Sequence, residues 1–334
     1  MTLVRRALRN AFAIGAVVVA SACVPPSQPA RHPDLALLDR SWSAYKARFI
    51  TEDGRVVRRD QDGDTVSEGQ AYAMLRAAWM DDRATFDRVW AWTRAHLGRE
   101  GRPWPALMAW RWALEPDRGG YVSDWSVAPD ADTDIALSLL LAADAWPGSA
   151  GRARAHYLEE ARAILRDLIE LTAVDESGAR VLLAGEWADH RSDGRGLVLN
   201  PSYFAPAAYR HFARVTGDGR WLELVRGSYL VLTTLCHATR DSLSSGDWRR
   251  RVPPIPDWVR WESATSWTAE GGGTPGWDAV RIPWRIGTDR AWFAAVEADQ
   301  FVEDCLVSSA KTIYSVDRRA GGSSFCLRSF QIVR

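Results

Sequence analysis

Hydrophobic side chains recur every three or four residues along most of this chain, which is the spacing that buries one face of an α-helix. Between residues 34 and 49 they stand at Leu35, Leu38, Trp42, Tyr45 and Phe49. The same period predicts further helices over residues 67–80, 82–97, 132–145, 152–171, 203–215 and 220–235, with a weaker pattern over 289–305. Strict alternation of apolar and polar residues is scarce, and residues 180–183 predict one short, locally paired strand. The pattern indicates a mostly helical single domain.

Composition and charge exclude several functional classes. The 334 residues suffice for one large hydrophobic core. The 42 basic and 42 acidic residues leave a net charge of zero, so nucleic acid is not an expected partner. There is no alternation of strands with helices and no glycine-rich phosphate loop, which disfavours a nucleotide-binding fold. The chain has 18 tryptophans, and we expect most in the core and the rest as flat platforms for sugar rings.

The first residues are typical of an export signal. Three arginines precede the apolar run 11–20, which is too short to span a membrane, so residues 1–22 are predicted to be a signal peptide. Small residues directly before Cys23 resemble a lipoprotein processing site, which predicts membrane anchoring through a lipid on Cys23; ordinary cleavage nearby is the alternative. Residues 23–33 are predicted to form a proline-rich tether before a single domain over 34–334. We expect a periplasmic protein or an outer-membrane lipoprotein, with an extracellular location as the alternative.

The remaining cysteines are predicted to have a structural role at most. Export permits disulfides, and Cys305–Cys326 is one pairing that would leave Cys236 single. No Cys-x-x-Cys pair or histidine cluster indicates zinc.

Two runs of alternating aspartates resemble the start of a calcium-binding EF-hand loop. They begin at Asp60 and at Asp130, but neither run has the glycine at position six or the glutamate at position twelve that such a loop needs. We therefore expect no metal and no cofactor.

Glu68 is the first candidate for chemistry. Ser67 and Gln70 have the spacing of a capping box, which places Glu68 in the first turn of a helix. By itself this position suits a residue that merely complements the helix dipole. The dipole favours the ionised carboxylate, so a role as proton donor requires burial against aromatic rings or a second carboxylate nearby.

Further carboxylates stand at two other places. Asp130, Asp132 and Asp134 begin a predicted helix, where one of them could cap the helix while others face water. Asp278 follows a glycine run at 271–273 and precedes Arg281 and Arg285. An aspartate that faces an arginine stays ionised, as a catalytic base must, although a structural ion pair explains the same pattern.

Taken together, four segments resemble glycoside hydrolase family 8, which contains bacterial endoglucanases and some xylanases and chitosanases. They are residues 67–74, 128–146, 200–203 and 277–285, in the family's order; Pro129 departs from the usual Ser or Thr. The resemblance implies an all-α (α/α)6 barrel with a cleft across one end. It implies Glu68 as general acid and Asp278 as the base that activates water, with inversion at the anomeric carbon. Asp130 would contact the sugar at the cleavage point, and some descriptions of the family make it the nucleophile.

On this basis the expected function is inverting, endo-acting hydrolysis of a β-1,4-linked polysaccharide, foremost cellulose-like β-glucan, linked to exopolysaccharide production. Trp125, Tyr203 and Arg281 are further expected substrate contacts. We expect a monomer whose partner is the polysaccharide. Two alternatives stay open: the same fold acting on xylan or chitosan, and a glycan-binding component of an export system that has lost catalysis. Chitosan would call for additional acidic groups along the cleft.

Overall fold

The computed structural model describes residues 33–115, 117, 119–148, 151–242, 255–270 and 276–307. The predicted signal peptide, Cys23, nearly all of the tether, the glycine run 271–273 and Cys326 lie outside these residues. The chain divides into a short unit that ends at Ser41 and a large unit that begins at Trp42. None of the helices among the described residues combines the length and hydropathy needed to cross a membrane.

Helices form most of the described chain, as the hydrophobic period predicts. They are α1 (Pro33–Phe49), α2 (Ser67–Trp79), α3 (Arg83–Leu97), α4 (Pro129–Ala145), α5 (Arg152–Leu168), α6 (Pro206–Thr216), α7 (Arg220–Ser242), α8 (Ile282–Phe293) and α9 (Val296–Phe301). Helix α2 packs against α3 and α4, α4 against α5, and α6 against α7 and α8. Helices that are neighbours in sequence are therefore mostly neighbours in space.

Several helix boundaries differ from the predicted ones, and two of the differences have a clear local cause. Helix α4 begins at Pro129, since proline at the first helical position loses no hydrogen bond and has the required φ. This start places Asp130 in the first turn. The weak pattern over 289–305 is two helices instead of one, because Ala294 adopts a left-handed conformation with φ of 48° between α8 and α9.

Within the described residues, three small sheets accompany the helices, more than the sequence pattern predicts. The first contains β1 (Thr65–Val66), β2 (Ala109–Glu115) and β3 (Gly119–Val127), and the second pairs β4 (Thr172–Val174) with β5 (Arg180–Leu182), as expected. The third contains β6 (Leu197–Leu199), β7 (Val259–Ser263) and β8 (Ser266–Ala269). All three residues of β6 are buried, so this strand shows no alternation by which it could be recognised.

Within the described residues, the tryptophans divide between the core, half-buried positions packed against it, and the surface. Buried ones are Trp42, Trp90, Trp92, Trp112, Trp146, Trp221 and Trp261, and exposed ones are Trp79, Trp125, Trp187, Trp277 and Trp284. The positions of the exposed group are informative, because exposed apolar rings that cluster in one patch mark a binding surface.

One disulfide joins Cys236 of α7 to Cys305, which lies in a π-helical turn over Val302–Val307. The expected pairing of Cys305 with Cys326 is therefore wrong. The bond connects α7 directly to the segment that follows α9, since these two elements pack side by side and bring the two Cα atoms within 6.1 Å.

Candidate active site

Glu68 lies in the first turn of α2, as expected, but the capping box does not form. The residue at the N-cap is Val66, which makes no side-chain cap. Gln70 is buried, and its amide group instead accepts a hydrogen bond from the Val56 N–H at 2.6 Å and donates one to Thr93 Oγ1 at 2.8 Å. Gln70 thus satisfies backbone and side-chain groups of neighbouring segments, a role that its local spacing could not reveal.

The carboxyl group of Glu68 sits in a half-buried pocket beside an indole ring. Trp110 Nε1 on β2 donates a hydrogen bond to Oε1 at 3.2 Å, and Ser67 Oγ donates to Oε2 at 3.4 Å. Burial, followed by the nearby charge of Asp130, raises the pKa of Glu68 to about 7. Both effects that a proton donor at a helix start requires are present, so this carboxyl group retains its proton up to neutral pH.

The three aspartates at the start of α4 are all buried, so the interpretation that one caps the helix and others face water is wrong. The N-cap is Ala128, and α4 packs against α2. Asp130 forms an ion pair with Arg281 Nη1 through Oδ2, while its buried Oδ1 has no hydrogen-bond partner among the described residues. Asp132 Oδ1 accepts the Met108 N–H at 3.0 Å. Burial raises the pKa of both Asp130 and Asp132.

Arg281 connects the two ends of the site. Its Nη1 contacts Asp130 and donates to Tyr72 Oη at 3.1 Å, while its Nη2 donates to Ser202 Oγ and to Asp278 Oδ1, each at 2.8 Å. One guanidinium therefore lies between two carboxylates that are far apart in sequence. It fixes their relative position and partly neutralises both.

Asp278 is held by a second donor as well. Asn200 Nδ2 donates to Asp278 Oδ2 at 2.8 Å, so each oxygen of this half-buried carboxylate accepts one hydrogen bond. Arg285 does not take part, because its guanidinium forms a buried two-point ion pair with Asp134. Of the two arginines that follow Asp278 in sequence, Arg281 therefore pairs with Asp278 and Arg285 pairs with Asp134.

Tyr203 and Trp125, the other two substrate contacts expected from the sequence, differ in how close they lie to the candidate catalytic carboxylates. Tyr203 is buried, with its ring 5.2 Å from the Arg281 guanidinium, and burial together with the charges of Asp130 and Glu68 raises its pKa. Trp125 lies on β3, 37% exposed, and its ring stacks on Arg102 at 3.9 Å. Among the described residues, the ring of Trp125 contacts Arg102 and makes no hydrogen bond with the carboxylates Glu68, Asp130 and Asp278.

Glu68, Asp278 and Arg281 line one open cleft of about 600 Å³. Aromatic rings line the same cleft, namely those of Tyr45, Tyr72, Trp79, Trp277 and Trp284. Trp79 meets Trp284 edge to face at 6.4 Å, and Trp277 is 90% exposed. Exposed aromatic rings around a few polar groups suit a ligand with apolar ring faces and hydroxyl edges, such as a sugar chain.

Several residues of this site were not among the candidates expected from the sequence. Asn200 and Ser202 contact Asp278 and Arg281, respectively. They stand in the segment 200–203, whose resemblance to the family could have identified them as site residues. Trp79, Trp110 and Trp284 reach the site from three separate elements, α2, β2 and α8. No local pattern distinguishes them from core tryptophans.

We expect Asp134→Ala to lower the free energy of unfolding by about 3–5 kcal/mol, because it leaves Arg285 buried without its partner. Chemical denaturation followed by tryptophan fluorescence measures this loss. The matched control is Asp189→Ala, which removes an exposed pair with Arg191 and should cost no more than about 1 kcal/mol. Equal losses in the two variants would contradict the assigned importance of the buried pair.

Comparison with known proteins places these residues in a family. Residues 12–321 match the model for glycosyl hydrolases family 8. Endoglucanase A of Acetivibrio thermocellus is 31% identical over 271 residues, which are 77% of this chain and 50% of that protein. The chain spans about half the length of the first curated relatives that it matches.

Solved structures agree in fold. A family 8 endo-β-1,4-glucanase from an Achatina fulica gut metagenomic library superposes with a TM-score of 0.62 at 29% identity, covering 77% of this chain and 74% of that one. The endo-β-1,4-glucanase CMCax of Acetobacter xylinum gives a TM-score of 0.61 at 27% identity, covering 75% and 72%. These are (α/α)6 barrels, so the expected all-α (α/α)6 fold is confirmed.

Proposed function

The chain belongs to glycosyl hydrolase family 8, and from this premise we propose that it is an inverting, endo-acting hydrolase of β-1,4-linked glucan. The observation that carries the proposal is that a carboxyl group with its pKa raised to about 7, Glu68, lines the same cleft as a hydrogen-bonded carboxylate, Asp278. Hydrolysis of a glycosidic bond needs one group that donates a proton and one that accepts a proton from water. Relatives with the name endoglucanase support β-glucan as the substrate.

Glu68 is the proposed general acid. Its proton passes to the glycosidic oxygen as the bond between this oxygen and the anomeric carbon breaks, so the leaving sugar departs as a neutral alcohol. Trp110 and Ser67 keep the carboxyl group oriented toward the cleft. The negative charge of Asp130 favours the protonated form of Glu68 before the reaction and stabilises positive charge that develops on the sugar ring during it.

Asp278 is the proposed general base. It accepts a proton from the water whose oxygen attacks the anomeric carbon on the face opposite the leaving group, which inverts the configuration. Asn200 and Arg281 hold its two oxygens, so the carboxylate cannot rotate away from the attacking water. Arg281 contacts both Asp278 and Asp130. We propose that this arrangement keeps Asp278 separated from Glu68 by the space that the water and the sugar occupy.

Substrate contacts complete the proposal. Tyr203 and Arg281 border the carboxylates and are proposed to contact the sugar at the cleavage point. Trp125, exposed on β3, is proposed to stack on a sugar farther along the chain. The proposed catalytic domain spans residues 34–334.

The activity of the wild type should fall as pH rises above about 7. Glu68 must carry a proton to act as the acid, and its pKa of about 7 means that the active form is present below this pH and is lost above it. We expect kcat/KM for cellopentaose to decrease about tenfold per pH unit on the alkaline side. A decline that begins near pH 4.5, the ordinary value for glutamate, would contradict the raised pKa.

Release of reducing ends from carboxymethylcellulose, xylan and chitosan tests the function itself. The proposal expects fastest release from carboxymethylcellulose, and proton NMR should show the α-anomer as first product. A β-anomer would overturn inversion. No release from any polymer would overturn the enzyme proposal and favour a glycan-binding component of an export system.

Export and anchoring form a separate part of the proposal. We infer from the sequence pattern of residues 1–23 that the protein leaves the cytoplasm and carries a lipid on Cys23. We further propose that it acts as a monomer in exopolysaccharide production. Mass spectrometry of the mature N-terminus distinguishes a lipidated Cys23 from a plain cleaved end. Unmodified cysteine would overturn anchoring and leave hydrolysis untouched.

A further inference from the structure

Arg58 lines the cleft but has no role in the proposed mechanism. Its side chain is 33% exposed and lines the cleft together with Glu68 and Trp79. The guanidinium is fixed in place, because Nε donates to Asp64 Oδ1 at 2.7 Å and Nη2 donates to Asp64 Oδ2 at 2.5 Å. Within the described residues, the Arg58 side chain makes hydrogen bonds through Nε and Nη2. Its Nη1 makes none of them.

A second arginine shares the same partner. Arg111 Nε donates to Asp64 Oδ2 at 2.5 Å, and Asp64 itself is only 2% exposed. One arginine suffices to neutralise one buried carboxylate, so Asp64 does not by itself explain two. Of the two arginines, Arg58 is the one that lines the cleft. Arg58 and the proposed acid Glu68 line the same cleft. The hydrogen bonds to Asp64, together with the negative charges of Asp64, Glu68 and Asp60, raise the pKa of Arg58.

We propose that Arg58 is a substrate-binding residue that donates hydrogen bonds to hydroxyl groups of the glucan beside the cleavage point. This inference rests on the proposed function. A guanidinium that Asp64 already holds loses little conformational freedom when a sugar binds, so its remaining N–H groups contribute more to affinity than those of a mobile side chain. Sugar hydroxyls are suitable acceptors, and a hydrogen bond from a charged donor is stronger than one from a neutral donor.

The test compares Arg58→Met with Arg111→Met, since both variants remove one of the two arginines on Asp64 while only the first changes the cleft. For cellopentaose hydrolysis we expect Arg58→Met to raise KM about 10–100-fold with kcat changed less than about threefold, as loss of uniform binding predicts. Arg111→Met should change KM less than about twofold. Equal increases in KM would show that both arginines act through Asp64 and would overturn the proposal, as would an unchanged KM in Arg58→Met.

Folding is controlled separately. Circular dichroism and thermal unfolding establish that each variant is folded before KM is measured. Arg58→Lys serves if the methionine variant does not fold, because lysine keeps the charge but cannot make the two-point contact with Asp64; its KM should also rise, by about tenfold. A wild-type KM in folded Arg58→Lys would overturn the proposal. Absence of hydrolysis in the wild type would instead refute the proposed function.

Discussion

Glu68→Gln is expected to reduce the rate of cellopentaose hydrolysis by about 10²–10⁴-fold, because the amide cannot give a proton to the leaving oxygen. Binding should survive, since glutamine keeps the size of the side chain and can still accept a hydrogen bond from Trp110. Initial-rate kinetics measure the loss of kcat, and calorimetry of the variant with cellopentaose measures binding. A variant that cleaves as fast as the wild type would refute the assignment of Glu68 as the acid.

A change of leaving group makes this test more specific. A dinitrophenyl glycoside needs no proton donor, because its leaving group departs as a stable anion, so Glu68→Gln should lose far less activity on it than on cellopentaose. The control is Glu159→Gln, which makes the same chemical change on the exposed face of α5. It should keep wild-type rates on both substrates. Equal losses on the two substrates in Glu68→Gln would indicate a damaged site instead of a missing acid.

Asp278→Asn is expected to lower kcat by about 10²–10⁴-fold on both kinds of substrate. The amide cannot accept the proton of the attacking water, and a better leaving group does not replace that step. Asparagine can still accept a hydrogen bond from Arg281 or Asn200, so the surrounding residues should stay in place. This pattern, with no rescue by the dinitrophenyl group, distinguishes the base from the acid.

Asp193→Asn is the matched control for the base, since Asp193 is an exposed aspartate that pairs with Arg195 outside the cleft. Its rates should equal those of the wild type. If Asp278→Asn recovers activity with the activated leaving group as Glu68→Gln does, Asp278 does not act as the base. Wild-type activity of Asp278→Asn on cellopentaose would lead to the same conclusion.

The sequence predicted the helical elements well because their hydrophobic faces are a local property. The period over residues 67–80 and 82–97 corresponds to α2 and α3 almost to the residue. It failed where burial is not one-sided. The strand β6 is buried on both faces, so it lacks the contrast between faces that reveals an element from its sequence.

Side-chain partners were harder to predict than elements. Ser67 and Gln70 have the spacing of a capping box, yet Gln70 turns into the core because buried groups at Val56 and Thr93 need its amide. Arg281 and Arg285 are one helical turn apart and looked equivalent. Only Arg281 reaches Asp278, since Arg285 points toward the buried Asp134 from α4.

The sequence by itself determined the helical class, the position of Glu68 in the first turn of α2, and the candidate carboxylates. The tertiary structure decided which form of Glu68 prevails at neutral pH. Whether Glu68 keeps its proton depends on its burial and on the charge of Asp130, which raise its pKa. The Trp110 indole donates a hydrogen bond to the same carboxyl group. These residues come from α2, α4 and β2, and their separation along the chain does not reveal how close they are in space. The electrostatic environment of a carboxyl group is set by such distances, so only the folded chain specifies it.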